Sequence, residues 1–253
     1  MKAFLKKEYL DHFRTGKLLI LVILFFFFGV MNPATAKLTP LLLEIFADSL
    51  EGSGIIITGV EVTALDSWMQ FYKNAPLFLI AFILLESNIF TKEYSSKTLV
   101  LSLTKGLKRY KVVASKSIML ISLWNVCYWL SFAITYLYNA YFWDNSIAVN
   151  LVFSAICWWI FGLWTITLVV FFSVVANQQT TVLLGTGGII AATYLLGFIP
   201  KIDKYFPTKL IDGTSLVYKM SDTGSYISAI AITITLCIVL LAISIPIFNK
   251  KEI

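Results

Sequence analysis

Six apolar runs divide the chain, and all but the second are at least close to the length that a helix needs to cross a bilayer. A spanning helix takes about 20 residues at a rise of about 1.5 Å per residue. Hydrophobic residues make up 58% of the chain and charged residues 13%, with a mean hydropathy of +0.83, which lies outside the range of soluble domains. The sequence therefore predicts an all-α integral membrane protein. It has one domain, residues 1–253, with spans at about 17–36, 75–92, 112–138, 147–175, 180–199 and 226–248.

The first run has a rival interpretation as a cleaved signal peptide, because Ala34-Thr35-Ala36 resembles a cleavage site. The segment before it, residues 1–16, is long and contains acids, which favours an uncleaved span. Leu5, Tyr9 and Phe13 share one helical face of this segment. That spacing is typical of an amphipathic helix lying in the headgroup layer.

The segment at 37–74 is acidic and predicts an external region. Within it, Thr39 followed by Pro40 is a typical N-cap and first helical residue, so a helix is expected to begin there. Asp66 or Ser67 is expected to cap a second helix that leads into the next span.

The second span is the shortest, since Ala75–Leu85 gives only eleven apolar or proline residues before Glu86. A carboxylate facing lipid would cost about 2.5 to 3.5 kcal/mol on insertion scales. Glu86 is therefore expected to face protein, water or the membrane edge.

The fifth span differs from the others by its small residues. Gly187 and Ala191, and likewise Gly188 and Ala192, have the small-xxx-small spacing that lets two helices approach closely. This pattern predicts a buried helix.

A polar and mostly basic segment, residues 90–116, separates the second and third spans and contains seven lysines and arginines. Leu99, Leu103 and Leu107 recur at helical spacing, which predicts a short amphipathic helix ending near Gly106. Two interpretations remain open. The cations mark an inner loop that touches anionic lipid, or the leucine ridge inserts into a groove on a partner protein.

The distribution of lysine and arginine predicts the orientation. With both termini inside, fourteen of these residues are cytoplasmic and six are external, which follows the positive-inside rule. The expected location is the cytoplasmic membrane, with 37–74 and 200–225 outside. The second of these is too polar to cross and too apolar for a free linker, so a short external or re-entrant helical pair is expected.

Several classes of site are not predicted. His12 is the only histidine, so no zinc-type ligand set can be assembled, and no metal is expected. The three cysteines lie inside apolar runs and indicate no disulfide framework. The lysines cluster beside spans, which does not favour nucleic-acid binding. The sequence lacks GxxxxGK[ST], so no catalytic residue or nucleotide site is expected in this chain.

The segment ALDSWMQFYKNAP (64–76), the span after it and the basic loop together resemble the permease subunit of type-2 ABC exporters. In that family the loop has an acid, a Thr-Leu helix, a Thr-Lys or Pro turn, an arginine and a lysine that opens the third span. The matching positions here are Glu93, Thr98, Leu99, Thr104, Lys105, Arg109 and Lys116. Lys97 departs from the pattern, because a glycine is common at its position.

The resemblance implies that the loop carries a coupling helix, with Leu103 on its ridge, which docks on a separate ABC-type ATPase subunit. Two permeases, identical or different, and two ATPases form the working unit within the lipid bilayer. ATP and Mg are then bound by the partner, and this chain needs no cofactor of its own.

The resemblance also implies that the second and fifth spans line a central path. The residues expected to line it are Phe78, Phe82, Leu85, Glu86, Tyr194 and Phe198. The small residues of the fifth span fit the same close packing. An apolar, aromatic path suits export of an amphipathic or hydrophobic substrate, such as a peptide, drug or lipid.

Two other functions stay open on the sequence. A secondary transporter or channel would use Glu86 as an ion or proton site. A membrane immunity or sensor protein would hold a peptide without moving it.

Overall fold

The computed structural model describes residues 1–49, 61–104, 106–199 and 202–251. Within these ranges the chain is helical, with short 3-10 turns at Asn145–Ile147, Asp203–Tyr205, Pro207–Ile211 and Thr223–Tyr226. The helices are α1 (Lys2–Arg14), α2 (Lys17–Ser49), α3 (Ala64–Glu86), α4 (Thr91–Ser95), α5 (Thr98–Thr104), α6 (Arg109–Phe142), α7 (Leu151–Val175), α8 (Gln179–Gly197), α9 (Gly213–Val217) and α10 (Ile227–Lys250).

Six segments of the described chain are long and apolar enough to cross a membrane, which confirms the predicted class and number of spans. They are Lys17–Leu42, Ala64–Ser95, Arg109–Phe142, Leu151–Val175, Gln179–Gly197 and Thr223–Lys250. The second segment is longer than the apolar pattern indicated because α3 begins eleven residues before Ala75. Thr63 and Asp66 form a capping box at its start, and α3 continues through Pro76. The prediction that Asp66 or Ser67 is the N-cap is wrong by one turn: Thr63 is the N-cap, and Asp66 is the third helical residue, whose carboxylate accepts from the Thr63 backbone.

Helix α2 runs through both Pro33 and Pro40, so the prediction that a new helix begins at Pro40 is wrong. A proline inside a helix leaves the carbonyl four residues earlier without its donor. For Pro33 that carbonyl belongs to Gly29, and the hydroxyl of Thr135 in α6 donates to it at 2.9 Å. A neighbouring helix therefore supplies the missing hydrogen bond, as spanning helices require.

Two asparagines extend this contact into a neutral polar network within the bundle. The amide of Asn32 in α2 donates to Thr135 Oγ1 at 3.3 Å, and Asn74 in α3 donates to Asn32 Oδ1 at 2.9 Å. Asn32 and Thr135 are fully buried. The network joins α2, α3 and α6 by hydrogen bonds between uncharged groups.

Aromatic side chains fill the space between α2, α3 and α6. Between ring centroids, Phe25 lies 5.4 Å from Phe78 and 6.0 Å from Trp124, and Phe82 lies 5.5 Å from Trp124. Helix α7 approaches closely because Gly162 has no side chain: a Cβ there would lie 2.2 Å from the Trp124 ring. Helices α2, α3, α6 and α7 thereby share one core.

Helix α8 lies at the edge of this core. Gly185 allows close contact with Phe172 of α7, yet Val182 and Thr186 are the buried residues of this helix. A side chain at Gly187 or Gly188 would meet nothing within 4 Å. The prediction of a buried fifth span is therefore wrong for the single chain, and its small residues face outward.

Residues 202–226 pack as short helical turns against the N-terminal half of α7. The Trp158 indole donates to Ile211 O at 2.8 Å, and the Ser154 hydroxyl donates to Gly213 O at 3.0 Å. Leu210 and Leu216 are fully buried. This segment is packed structure rather than a linker, and its contacts extend along about the first two turns of α7.

Candidate coupling site

Both termini and the basic segment meet at one end of the bundle, here called the basic end. It comprises α1, residues 87–104 and 106–108, the turn at 176–178 and Lys251. The opposite end is the distal end. Gly16, with φ +73°, turns the chain between α1 and α2, a conformation that glycine adopts without strain.

Helix α1 packs on the bundle through the face that carries Phe4, Glu8 and His12, all of which are buried. The predicted apolar face of Leu5, Tyr9 and Phe13 is only partly covered, and Phe13 is 71% exposed. The charged face is buried because the bundle offers it partners of opposite charge. The expected interfacial helix is therefore fixed to the protein on its polar side.

Four charges from three helices form a ring at this contact, here called the ionic ring: Lys7, Glu8, Glu93 and Lys116. Lys116 is 1% exposed, and its ammonium lies 3.0 Å from Glu8 Oε2 and 3.1 Å from Glu93 Oε2. Lys7 pairs with Glu93 and with Glu8, the latter at 3.3 Å. Two positive and two negative charges balance, which buried ions require.

Lys116 also contacts the backbone, and the neighbours of Lys7 change its pKa. Lys116 also donates to Ile89 O at 2.8 Å, which fixes the backbone between α3 and α4. Burial lowers the pKa of Lys7, but its hydrogen bond to Glu93 and the nearby carboxylates raise that pKa above its usual value. Lys7 therefore stays charged, and the ring joins α1, α4 and α6.

The only histidine of the chain contacts Glu86, at the end of α3. His12 Nε2 lies 2.8 Å from Glu86 Oε2, and His12 Nδ1 lies 3.1 Å from Glu8 O. A carbonyl oxygen can only accept, so Nδ1 carries a hydrogen. The Nε2 contact needs a second hydrogen, held by the imidazole or by the carboxyl group. Glu86 therefore faces protein, which is one of the three environments that the sequence analysis allowed. Its contact with His12 joins α3 to α1.

The end of α3 is held from two further helices. Lys17 of α2 donates to Leu85 O at 2.8 Å and to Asn88 Oδ1 at 2.7 Å. Gln179 of α8 donates to Leu84 O at 3.2 Å and to Ser87 Oγ at 2.9 Å. These donors satisfy carbonyls at a helix C-terminus, where positive charge is also favoured.

A second group of contacts ties α4 and α6 to the ends of α7 and α10. The hydroxyl of Tyr94 donates to Ser173 O at 3.1 Å. Lys251 lies 4.2 Å above the Tyr94 ring and donates to Val174 O at 2.8 Å. Arg109 donates to Phe248 O at 3.0 Å and also to Lys251 O. Burial lowers the pKa of Lys251 to about 8.

Helix α5 confirms the predicted short helix in the basic segment, and Gly106, with φ +86°, follows its end. Its leucine ridge, however, packs on this chain. Leu99 is fully buried, and Leu103 and Leu107 are partly buried against the same core. The prediction that Leu99 faces a partner is therefore wrong, because the core of this chain already covers it.

The other residues proposed for partner contact differ in their surroundings. Glu93 and Lys116 are buried in the ionic ring, and Arg109 is half-buried against α10. Thr98 and Thr104 are exposed, while Lys105 lies outside the described residues. Exposed polar side chains of this segment include Lys92, Ser95, Ser96, Lys97, Thr98, Thr104 and Lys108.

The residues predicted to line a path are not brought together. Phe78 and Phe82 are fully buried in the aromatic core, so their assignment to a path is wrong for this structure. Leu85 lies half-buried near Glu86, which is itself sealed by His12. Tyr194 and Phe198 lie on the outward face of α8, 5.4 Å apart and 51% and 69% exposed.

Sequence reasoning missed the parts played by Lys7 and Glu8. Phe4, Glu8 and His12 recur every four residues, a spacing that could have indicated a charged face turned inward. The partners of this face lie about 75 to 110 residues away along the chain, so no local pattern identifies them.

The family model for "ABC-2 family transporter protein" matches residues 3–253. No curated protein and no solved structure matches the chain. The match covers nearly the whole chain and agrees with six spanning segments and a helical fold. The chain therefore belongs to the ABC-2 transporter family and is a membrane component of a transporter.

Proposed function

We propose that this chain is the transmembrane subunit of an ABC exporter and that residues 90–116 couple it to a separate ATPase subunit. The observation that supports this is the way the segment is attached. Its outer surface carries exposed polar residues, and its inner surface is joined to helices by buried charges. A loop that only marked the membrane boundary would not need such attachment.

The contacts suggest how movement of the segment would reach the spans. Glu93 and Lys116 link it to α1 and α6, and Tyr94 links it to the end of α7. When ATP closes the partner ATPases, a push on α5 would move these helix ends together. Because the ion pairs of Lys116 with Glu8 and Glu93 are buried, they would transmit displacement as a rigid connection.

The working unit would contain two permeases and two ATPases, with both termini in the cytoplasm. The outward face of α8, where Gly187 and Gly188 meet open space, suits close contact with a second permease. Tyr194 and Phe198 on the same helix would then face the substrate, which we expect to be an amphipathic or hydrophobic peptide, drug or lipid. The ATP and Mg sites would lie on the partner.

The test is purification of the tagged chain from its native membranes, with two readouts. We expect an ABC-type ATPase to co-purify and the complex to hydrolyse ATP in a vanadate-sensitive manner. The double variant Lys97→Glu, Lys108→Glu should release the ATPase, because both side chains are exposed on the segment. Leu99→Glu is unsuitable, since it would introduce a charge into the core.

The matched control is Lys204→Glu, Lys219→Glu, which reverses two lysines at the distal end. We expect this variant to keep its ATPase. If the two double variants retain the ATPase equally, or if transport proceeds in vesicles without ATP, the coupling assignment fails. The second result would instead support a secondary transporter.

A further inference from the structure

A groove of about 540 Å³ lies between α1 and the first turn of α2. Its lining is apolar except for Lys2 and Lys6. The apolar lining residues are Leu5, Tyr9, Leu10, Phe13 and Leu18. The groove therefore offers an apolar wall with two cations beside it.

The walls of this groove are fixed. One side of α1 is held to the bundle by the ionic ring and by the contact of His12 with Glu86. The turn at Gly16 then sets α1 against α2. Consequently the groove is a permanent feature of the fold, and its apolar surface stays open on the side away from the bundle: Phe13 is 71% exposed and Leu10 is 44% exposed.

The charges beside the groove are unbalanced. Lys2 and Lys6 are exposed and one helical turn apart, and neither forms an ion pair with another described residue. By contrast Lys7, Lys92 and Lys116 of the same end all pair with carboxylates. Two uncompensated cations beside an apolar wall match a molecule with an anionic head and an apolar tail.

The position of the groove indicates the source of such a molecule. Lys17 begins the first membrane span, and Leu18 of that span forms part of the groove. The groove thus lies where headgroups meet acyl chains. We propose that it binds one anionic phospholipid, with acyl chain against Leu10, Phe13 and Leu18 and with the phosphate between Lys2 and Lys6.

This site would be more selective than general attraction to a charged surface. A bound lipid must place its acyl chain on the apolar wall and its phosphate beside the two lysines at the same time. One lysine near an anionic headgroup contributes about 1 kcal/mol, or roughly fivefold in affinity. We therefore expect the chain to prefer phosphatidylglycerol over phosphatidylcholine by at least fivefold. The proposal does not depend on an ATPase partner.

The experiment is native mass spectrometry of the full chain in detergent, titrated separately with dioleoyl phosphatidylglycerol and dioleoyl phosphatidylcholine. The test variant is Lys2→Gln, Lys6→Gln, and the matched control is Lys97→Gln, Lys108→Gln, exposed lysines of the same end that lie outside the groove. A third variant, Phe13→Ser, alters the wall without touching the lysines. All five side chains are exposed, so folding should be kept.

We expect one phosphatidylglycerol to be retained, its preference to fall at least fivefold in Lys2→Gln, Lys6→Gln, and no such fall in the control. Phe13→Ser should weaken both lipids, and glycerol 3-phosphate, which lacks a tail, should not compete. Equal losses in the two lysine variants would indicate bulk charge attraction and overturn the site. So would an unchanged preference, the absence of a retained lipid, or competition by glycerol 3-phosphate at matched concentration.

Discussion

Two polar regions join the helices of this protein, and they use different chemistry. At the basic end, the ionic ring joins helices through charged groups, and a hydrogen bond between two ionisable side chains joins His12 to Glu86. In the bundle interior, Asn32, Asn74 and Thr135 bind α2, α3 and α6 through uncharged groups. Among the described residues, the buried ion pairs lie at the basic end, where α1 and the basic segment are attached.

The difference follows from the cost of placing ions away from water. A neutral amide or hydroxyl that keeps its hydrogen bond is tolerated within a membrane, where an ion is several times more costly. Removal of one partner also has different consequences. Breaking a buried ion pair leaves an uncompensated buried charge, whereas breaking a neutral hydrogen bond does not. The two regions should therefore respond differently to single substitutions.

The largest effect is expected for Lys116→Met, which leaves Glu8 and Glu93 facing each other with only Lys7 between them. Breaking a buried ion pair from one side costs about 3 to 5 kcal/mol. The variant should lose much of its thermal stability in detergent. Thiol reactivity of the buried Cys127 and Cys157 can follow unfolding.

Two comparisons make that result interpretable. Lys108→Met removes an exposed lysine of the same region and should leave the melting temperature nearly unchanged. Lys116→Met combined with Glu8→Gln should recover part of the loss, because one of the unpaired charges is gone. If Lys116→Met melts like Lys108→Met, the ionic ring does not hold the helices together.

Glu86 should show the next largest effect, and the outcome depends on the replacement. Glu86→Ala leaves the buried Nε2 of His12 without a partner, at a cost of about 1 to 3 kcal/mol. Glu86→Gln can donate its amide hydrogen to Nε2 and should cost less.

Because the chain has one histidine, nitrogen-15 labelling of histidine reports this contact alone. In Glu86→Gln the spectrum should show a neutral ring with its hydrogen on Nδ1, which donates to Glu8 O. A ring with its hydrogen on Nε2 would contradict the contact.

The neutral network should respond less. Thr135→Val keeps the volume of the side chain but removes the hydroxyl that serves Gly29 O and Asn32. Hydrogen bonds between spanning helices contribute about 0.6 kcal/mol on average, so we expect a loss of about 1 kcal/mol for two bonds. Thermal unfolding of Thr135→Val and Lys116→Met under the same conditions compares the two losses of stability. A loss as large as that of Lys116→Met would remove the contrast between the two regions.

Local sequence patterns predicted the spans, the short helix at Thr98–Thr104 and the stop at Gly106, because these depend on neighbours along the chain. They did not predict the partners of Glu8 or the burial of Leu99, since these depend on helices brought together by folding. The prediction of a helix start at Pro40 failed because a spanning helix can continue through a proline. Whether it does depends on a neighbouring donor or a polar environment for the freed carbonyl, which the local sequence does not reveal. The small face of α8 stays outward because none of the described helices of this chain covers Gly187 and Gly188.

The smallest effect concerns Lys97, which lies on the exposed side of the basic segment rather than in either polar region. Its φ of 54° is in the left-handed region, where a side chain clashes with the backbone at a cost of about 1 to 2 kcal/mol. That conformation explains why glycine suits this position between α4 and α5. Glycine also has more conformational freedom than lysine in the unfolded chain, which lowers the free energy of unfolding by about 0.5 to 1 kcal/mol. Lys97→Gly should therefore raise stability by about 0.5 kcal/mol, whereas Lys97→Ala, which keeps the clash, should not. Paired melting curves of the two variants separate the backbone effect from loss of the charge, and equal curves would mean that the left-handed turn is not strained.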